Sequence, residues 1–118
     1  MRKIVLLVLI ILVSTVFTLT ACTSSSQSET KITVAITSLS ETQPGGTYSP
    51  NVIHIHPGTE VTWIERDTTL HTVTAQDGSF GSSLLKTGQT YTVRFNKAGD
   101  YHYYCEIHPE MVGEVIVQ

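Results

Sequence analysis

Helical periodicity is the first thing this sequence lacks. No segment keeps apolar residues on one helical face over three turns, which argues against a helix bundle. Cysteine is nearly absent, with Cys22 and Cys105 alone in 118 residues, so no disulfide framework organises the chain. There is no basic stripe and no Lys/Arg cluster, and the net charge is −3 with His neutral, which argues against a nucleic-acid partner. Methionine is as rare as cysteine: beyond Met1 there is only Met111. The length allows one domain.

The opening of the chain reads as delivery. Arg2 and Lys3 precede an uninterrupted apolar run, Ile4 to Val13, and then Ser14 to Thr20. This is the layout of a secretory signal, short and quickly interrupted for a spanning helix. Leu19-Thr20-Ala21-Cys22 resembles the lipobox of bacterial and some archaeal lipoproteins, whose Cys becomes the lipid-bearing first residue. The expectation is a signal peptide over 1–21, lipidation at Cys22, a flexible Ser-rich linker over 22–30 and a domain over 31–118. An uncleaved membrane anchor is the other reading of the first segment. Both put the domain outside the cytoplasm, on a periplasmic or extracellular face close to a membrane. Loss of 1–21 removes Arg2 and Lys3 and no acid, taking the net charge to −5. Lipidation of Cys22 leaves Cys105 as a lone thiol, and in an exported domain a bound metal is a good reason for one.

From Lys31 the pattern has period two. Ile32, Val34 and Ile36 alternate with Thr33, Ala35 and Thr37, as in a half-buried strand. Glu41 to Pro50 holds Pro44, Gly45, Gly46 and Pro50 and reads as a loop. Val52 to His56 places Ile53 and Ile55 on one face and His54 and His56 on the other. Thr59 to Glu65 follows with Val61 and Trp63 inward, then a loop over Arg66 to Leu70 and a short strand, His71 to Thr74. Tyr91, Val93 and Phe95 alternate, as do Tyr101, Tyr103 and Cys105, and finally Val115 and Val117. About seven short strands separated by turn signals predict an all-β sandwich.

The chemistry concentrates in Cys105-Glu106-Ile107-His108-Pro109-Glu110-Met111. A thiolate, an imidazole and a thioether recur at i, i+3 and i+6, and Pro109 argues against a helical face. With His71 upstream they form a His₂Cys set with a weak Met, the donor combination of a blue-copper electron-transfer site. Thiolate and thioether are soft and imidazole suits either oxidation state, so such a set accepts both Cu(I) and Cu(II). Structural zinc competes less well, because thioether is a poor zinc ligand. A Cys–His nucleophile is weaker still, since no Asn or Asp is placed to orient the base. His54 and His56 could take a second metal ion, but two His without a third ligand make a weak site and read better as solvated strand residues. His102 faces away from Cys105 by alternation. Trp63 and Tyr103 read as core. Glu106 and Glu110 make either an acidic docking rim or ordinary solvated charge.

Val61-Thr62-Trp63, His71-Thr72-Val73, the run Gly99 to Cys105 and the C-x-x-H-x-x-M loop closing on Gly113 together resemble the cupredoxins, especially the amicyanin-, plastocyanin- and halocyanin-like small blue-copper proteins. Tyr48-Ser49-Pro50 through Gly58 extends the resemblance over nearly all of 31–118. The short gap between His108 and Met111 is similar to that of amicyanin. The resemblance implies a Greek-key β-sandwich with one type 1 copper near one end. His71, Cys105, His108 and Met111 are its expected ligands, with electrons passing through a partly exposed His108. Together with the lipobox-like segment, the expectation is a membrane-tethered, monomeric carrier, not an enzyme, between a protein electron donor and acceptor. The alternative is a copper-binding or delivery protein without a carrier role. An oxidase or reductase is disfavoured, since so short a chain has no room for a second copper site and its domain. One departure is Thr72, where plastocyanin- and amicyanin-like proteins often have an Asn that braces the Cys loop.

Overall fold

The computed structural model describes residues 29–40 and 43–118. The expected signal segment, Cys22 and the linker up to residue 28 lie outside the described residues. Eight strands are present there: β1 (Lys31–Ser40), β2 (Gln43–Ser49), β3 (Val52–Ile55), β4 (Thr59–Glu65), β5 (Thr74–Ala75), β6 (Thr90–Phe95), β7 (Gly99–Cys105) and β8 (His108–Val117). They form two four-stranded sheets, ordered β2-β1-β4-β6 and β3-β8-β7-β5. β1 runs parallel to β4, and β3 parallel to β8; the remaining neighbours are antiparallel. Glu29 and Thr30 already touch the sandwich, through an Arg94–Glu29 pair at 3.0 Å and the Thr30 carbonyl, which accepts the Glu60 N–H.

Period-two alternation produces the core. Val34 and Ile36, Ile53 and Ile55, Val61 and Trp63, Tyr103 and Cys105, and Val115 and Val117 are all buried, while their odd neighbours face outward or lie half-buried. Trp63 is the centre of an aromatic cluster, with ring centroids 5.3 Å from Tyr103, 6.0 Å from Phe80 and Tyr91, and 6.4 Å from Phe95.

Two expectations are corrected. The stretch expected as a loop, Glu41 to Pro50, contains β2, which pairs with the outer edge of β1 and packs against β8. Turn-forming Gly residues there serve close approach rather than a turn. The expected strand from His71 to Thr74 is only a bridge at His71, with β5 beginning at Thr74. Its backbone has other partners: Thr72 N–H donates to Cys105 Sγ and Val73 N–H to Ser82 Oγ, so neither enters a ladder.

Tyr103 and Gly113 are direct partners across β7 and β8, so their side-chain positions share a face. The Tyr103 ring lies where a Gly113 side chain would stand: a Cβ there would come within 2.7 Å of Tyr103 Cε2 and nearer still to Cζ and the hydroxyl. Gly113→Ala is expected to destabilise the fold by about 1–3 kcal/mol, the usual cost of overpacking a dense core. A urea midpoint equal to wild type would show that Tyr103 moves aside freely.

Candidate metal centre

His71 is fully buried between the sheets, held by exchange of backbone hydrogen bonds with Leu85. Its Nδ1 stands 2.9 Å from Glu65 Oε2, and both side chains are wholly excluded from solvent. Glu65 is the last residue of β4, and its other oxygen accepts the Asp67 N–H at 2.8 Å. His71 Nε2 has no hydrogen-bond partner; the nearest carboxylate oxygen, Asp67 Oδ2, is 3.8 Å away. Beside it passes β2 at Gly46. A Cβ on Gly46 would lie 2.6 Å from His71 Nε2 and 3.1 Å from Met111 Sδ. Only glycine lets the strand pass this closely to both side chains.

Cys105 ends β7, fully buried, with Sγ accepting the Thr72 N–H at 3.3 Å. Glu106 and Ile107 make the turn and His108 opens β8. Pairing then slips. Tyr104 opposes Val112 but Cys105 opposes His108, so residues 109–111 bulge from the ladder. A bulge re-aims the side chains that follow it, and here Met111 turns inward, 2% exposed. His108 stays half-buried, its Nδ1 3.8 Å from Cys105 Sγ and its ring centroid 5.0 Å from that of His71.

Thr72 braces this loop. Its hydroxyl accepts the Glu106 N–H at 2.9 Å, and its carbonyl accepts the Tyr48 hydroxyl at 2.6 Å. Burial, above all, raises the Tyr48 phenol far beyond its ordinary range, which keeps it a donor. Burial likewise pushes Tyr103 up to about 12.

Among the described residues no three His, Cys, Asp or Glu side chains are already closed about one point. The donors nevertheless fit a soft, redox-tolerant metal ion. Nitrogen and sulfur at typical bond lengths of about 2.0 and 2.3 Å can share one ion while standing up to about 4.3 Å apart, and Cys105 Sγ and His108 Nδ1 are 3.8 Å apart. The orphaned Nε2 of His71 and the Met111 Sδ both lie beside Gly46. His54 and His56 are exposed, and His56 Nδ1 meets the Gln118 carbonyl at 2.8 Å. His102 is on the outer face, 3.6 Å from Glu114. Glu106 and Glu110 are exposed.

Two contributors escape a sequence reading. Glu65 continues the inward series of Val61 and Trp63, so an acid at an inward position was the available signal. Gly46 gave none, because a Pro-Gly-Gly run looks the same in a loop.

Comparison with known proteins follows the same outline. The family profile described as a cupredoxin-like domain matches residues 8–117. Amicyanin from Paracoccus denitrificans is 36% identical over 76 residues, covering 60% of this chain and 58% of that protein. The chain thus spans a little over half the length of that relative. A purple cupredoxin from Nitrosopumilus maritimus superimposes with a TM-score of 0.66 at 33% identity, over 74% of this chain and 99% of that one. A reduced Cu(I) form of an amicyanin variant gives 0.64 at 31% identity, over 75% and 82%. The profile match spans nearly the whole chain and the fold superimposes on solved cupredoxins, so the chain belongs to the cupredoxin-like family.

Proposed function

We propose that this protein is an electron carrier with one type 1 copper, held by His71, Cys105, His108 and Met111 and tethered outside the cytoplasm through a lipid on Cys22. The observation that carries it is the convergence of a buried thiol, two imidazoles and a thioether, with His71 Nε2 left without a protein partner. When bound, copper supplies a one-electron couple. The Cu(I) in the solved amicyanin variant supports that choice of metal.

The residues provide the rest. Cys105 Sγ accepts the Thr72 N–H and is shielded from solvent; His71 is fixed by Glu65 and Leu85; Met111 is turned inward by the bulge. Since both sheets and β2 hold these groups, they need not rearrange between oxidation states, which keeps the reorganisation barrier small. His108, half-buried and next to Cys105, is the donor nearest to a docking partner. The partners are a protein electron donor and acceptor. A tether confines the search for them to the membrane surface and raises their effective concentration. The carrier acts as a monomer.

The test is a Cu²⁺ titration of the metal-free full chain in detergent, followed by ascorbate. An intense visible band that bleaches on reduction is expected. A colourless complex would remove Cys105 from the ligand set and put storage, zinc or purely structural readings first. Rapid exchange of electrons with a mediator, without loss of the ion to an acceptor, separates a carrier from a delivery protein.

A further inference from the structure

The strands fix where the chain enters the domain. The Thr30 carbonyl accepts the Glu60 N–H, and Lys31 pairs with Glu60 at the start of β1 and β4. Arg94 meets Glu29 at 3.0 Å and Glu60 at 3.2 Å, and it donates to the Gly58 carbonyl at 2.9 Å. Glu29, Thr30 and the turn at His56, Pro57 and Gly58 thus line one cleft at a single pole of the sandwich. The donor end is the other pole. β4 runs from Glu60 to Glu65, which touches His71, and β7 runs from Gly99, level with Val117 and Ile55, to Cys105. Those strand segments measure about 17 and 20 Å at 3.3 Å per residue. His108 is paired with Cys105, and Ile107 lies in the turn beyond them.

We propose that the tethered protein stands on its bilayer by the Thr30–Gly58 pole and presents His108 away from it, to a redox protein whose own electron-transfer surface projects into the aqueous compartment. This rests on the tether and the carrier role given above. Seven residue steps separate Cys22 from Glu29. Seven steps span at most about 25 Å when fully extended, and a Ser-rich chain of that length averages about 15 Å. For Ile107 to touch the bilayer, the chain would have to run back along the whole domain, which is more than about 20 Å on the strand lengths above. That demands a nearly straight chain and forfeits most of its conformational freedom. The competing pull is apolar. Leu70, Leu84 and Ile107 are exposed, and each is next in sequence to His71, Leu85 or His108 at the donor end. On a lipid surface these side chains would favour the inverted pose, but the tether reaches that pose only when drawn taut. They are left facing water, where a protein surface can cover them. The same distance disfavours direct exchange with a lipid-soluble carrier dissolved in that bilayer. An uncleaved anchor ending near Ala21 has the same exit and gives the same orientation.

The test is paramagnetic relaxation in the metal-free full chain, isolated from membranes and placed on nanodiscs of phosphatidylcholine and phosphatidylglycerol that carry a gadolinium-chelate lipid. Amide signals of Lys31, Gly58 and Lys97 should be lost, while those of Leu84, Ile107 and His108 are retained. Loss at Ile107 and His108 first, or equal loss at both poles, would overturn the orientation. Lengthening the linker by about twenty Gly/Ser residues raises its average reach to about 30 Å and should erase the contrast between the poles. A contrast that survives the longer linker would show that tether length does not set the pose. On the Cu-loaded protein, a long-chain quinol confined to the bilayer should bleach the visible band more slowly with the native linker than with the long one. Equal rates would overturn the choice of partner. Flotation of the full chain with vesicles separates the readings: a chain that does not float refutes the tether and this orientation together. The relaxation test uses no copper, so a wild type without a visible band would sink the copper reading and still leave the orientation decided.

Discussion

The Cys105→Ser protein, loaded with Cu²⁺, is expected to show no intense visible band, whereas Met111→Leu keeps its colour and its copper and gains reduction potential. The two substitutions separate the strong donor from the weak one. Cys105 Sγ is fully buried, takes an N–H from Thr72 and stands beside His108, so any ion bound there meets the sulfur first. Intense colour requires charge transfer from a thiolate, and a serine hydroxyl is a hard, protonated donor at neutral pH. Met111 is as buried, but a thioether is a weak donor that would tune the potential of a bound copper more than hold the ion. Leu is close in volume, so that swap should cost less than about 1.5 kcal/mol and leave the pocket formed. Visible absorption and potentiometry on both variants check the assignment. Strong colour surviving Cys105→Ser, or copper lost from Met111→Leu, would mean that the roles are wrong.

Trp63→Ala should have the largest effect on stability, about 3–5 kcal/mol for truncating a large buried aromatic. Trp63 is completely inaccessible and touches rings from both sheets and the β5–β6 connection: Tyr91 and Phe95 from its own sheet, Tyr103 from the other, and Phe80 from the connection. No neighbour can fill the gap without leaving its own partners. Small domains hold only about 5–15 kcal/mol in all, so this one change removes a large fraction of it. Each kcal/mol corresponds to about 4–8 °C in Tm for a domain of this size. Urea unfolding followed by tryptophan-independent far-UV signals gives the number, and a loss under about 1 kcal/mol would contradict the central role given to this residue. Copper binding should fail in step with unfolding, since the donors sit on strands that this core holds together.

The parts legible in the sequence were those with a local signature. Alternation placed Ile53 and Ile55 inward and His54 and His56 outward, and it put Tyr103 and Cys105 on one face. The Cys105–Met111 spacing and His71 named side chains that the fold brings close together. What stayed hidden was relational. β2 looked like a loop because Gly46 answers to His71 and Met111, which are distant in sequence. The segment after His71 looked like a strand because Val73 and Thr74 favour one, yet its N–H groups go to Cys105 and Ser82. Glu65 looked like the polar end of a strand. Its partner, six residues on, lies past a loop whose path no pattern of residues specified.

The order β3-β8-β7-β5 has a consequence for how the domain comes into being. β8 is the last strand in chain order, yet it lies inside its sheet, parallel to β3 on one side and antiparallel to β7 on the other. Until β8 has emerged from the ribosome, β3 has no neighbour and half the sandwich cannot close. The same hairpin carries three of the four proposed donors, whereas the fourth is 34 residues upstream of Cys105. Pairings this distant in sequence form slowly and late. The second sheet and the Cys105–Met111 loop therefore wait on the same final strand.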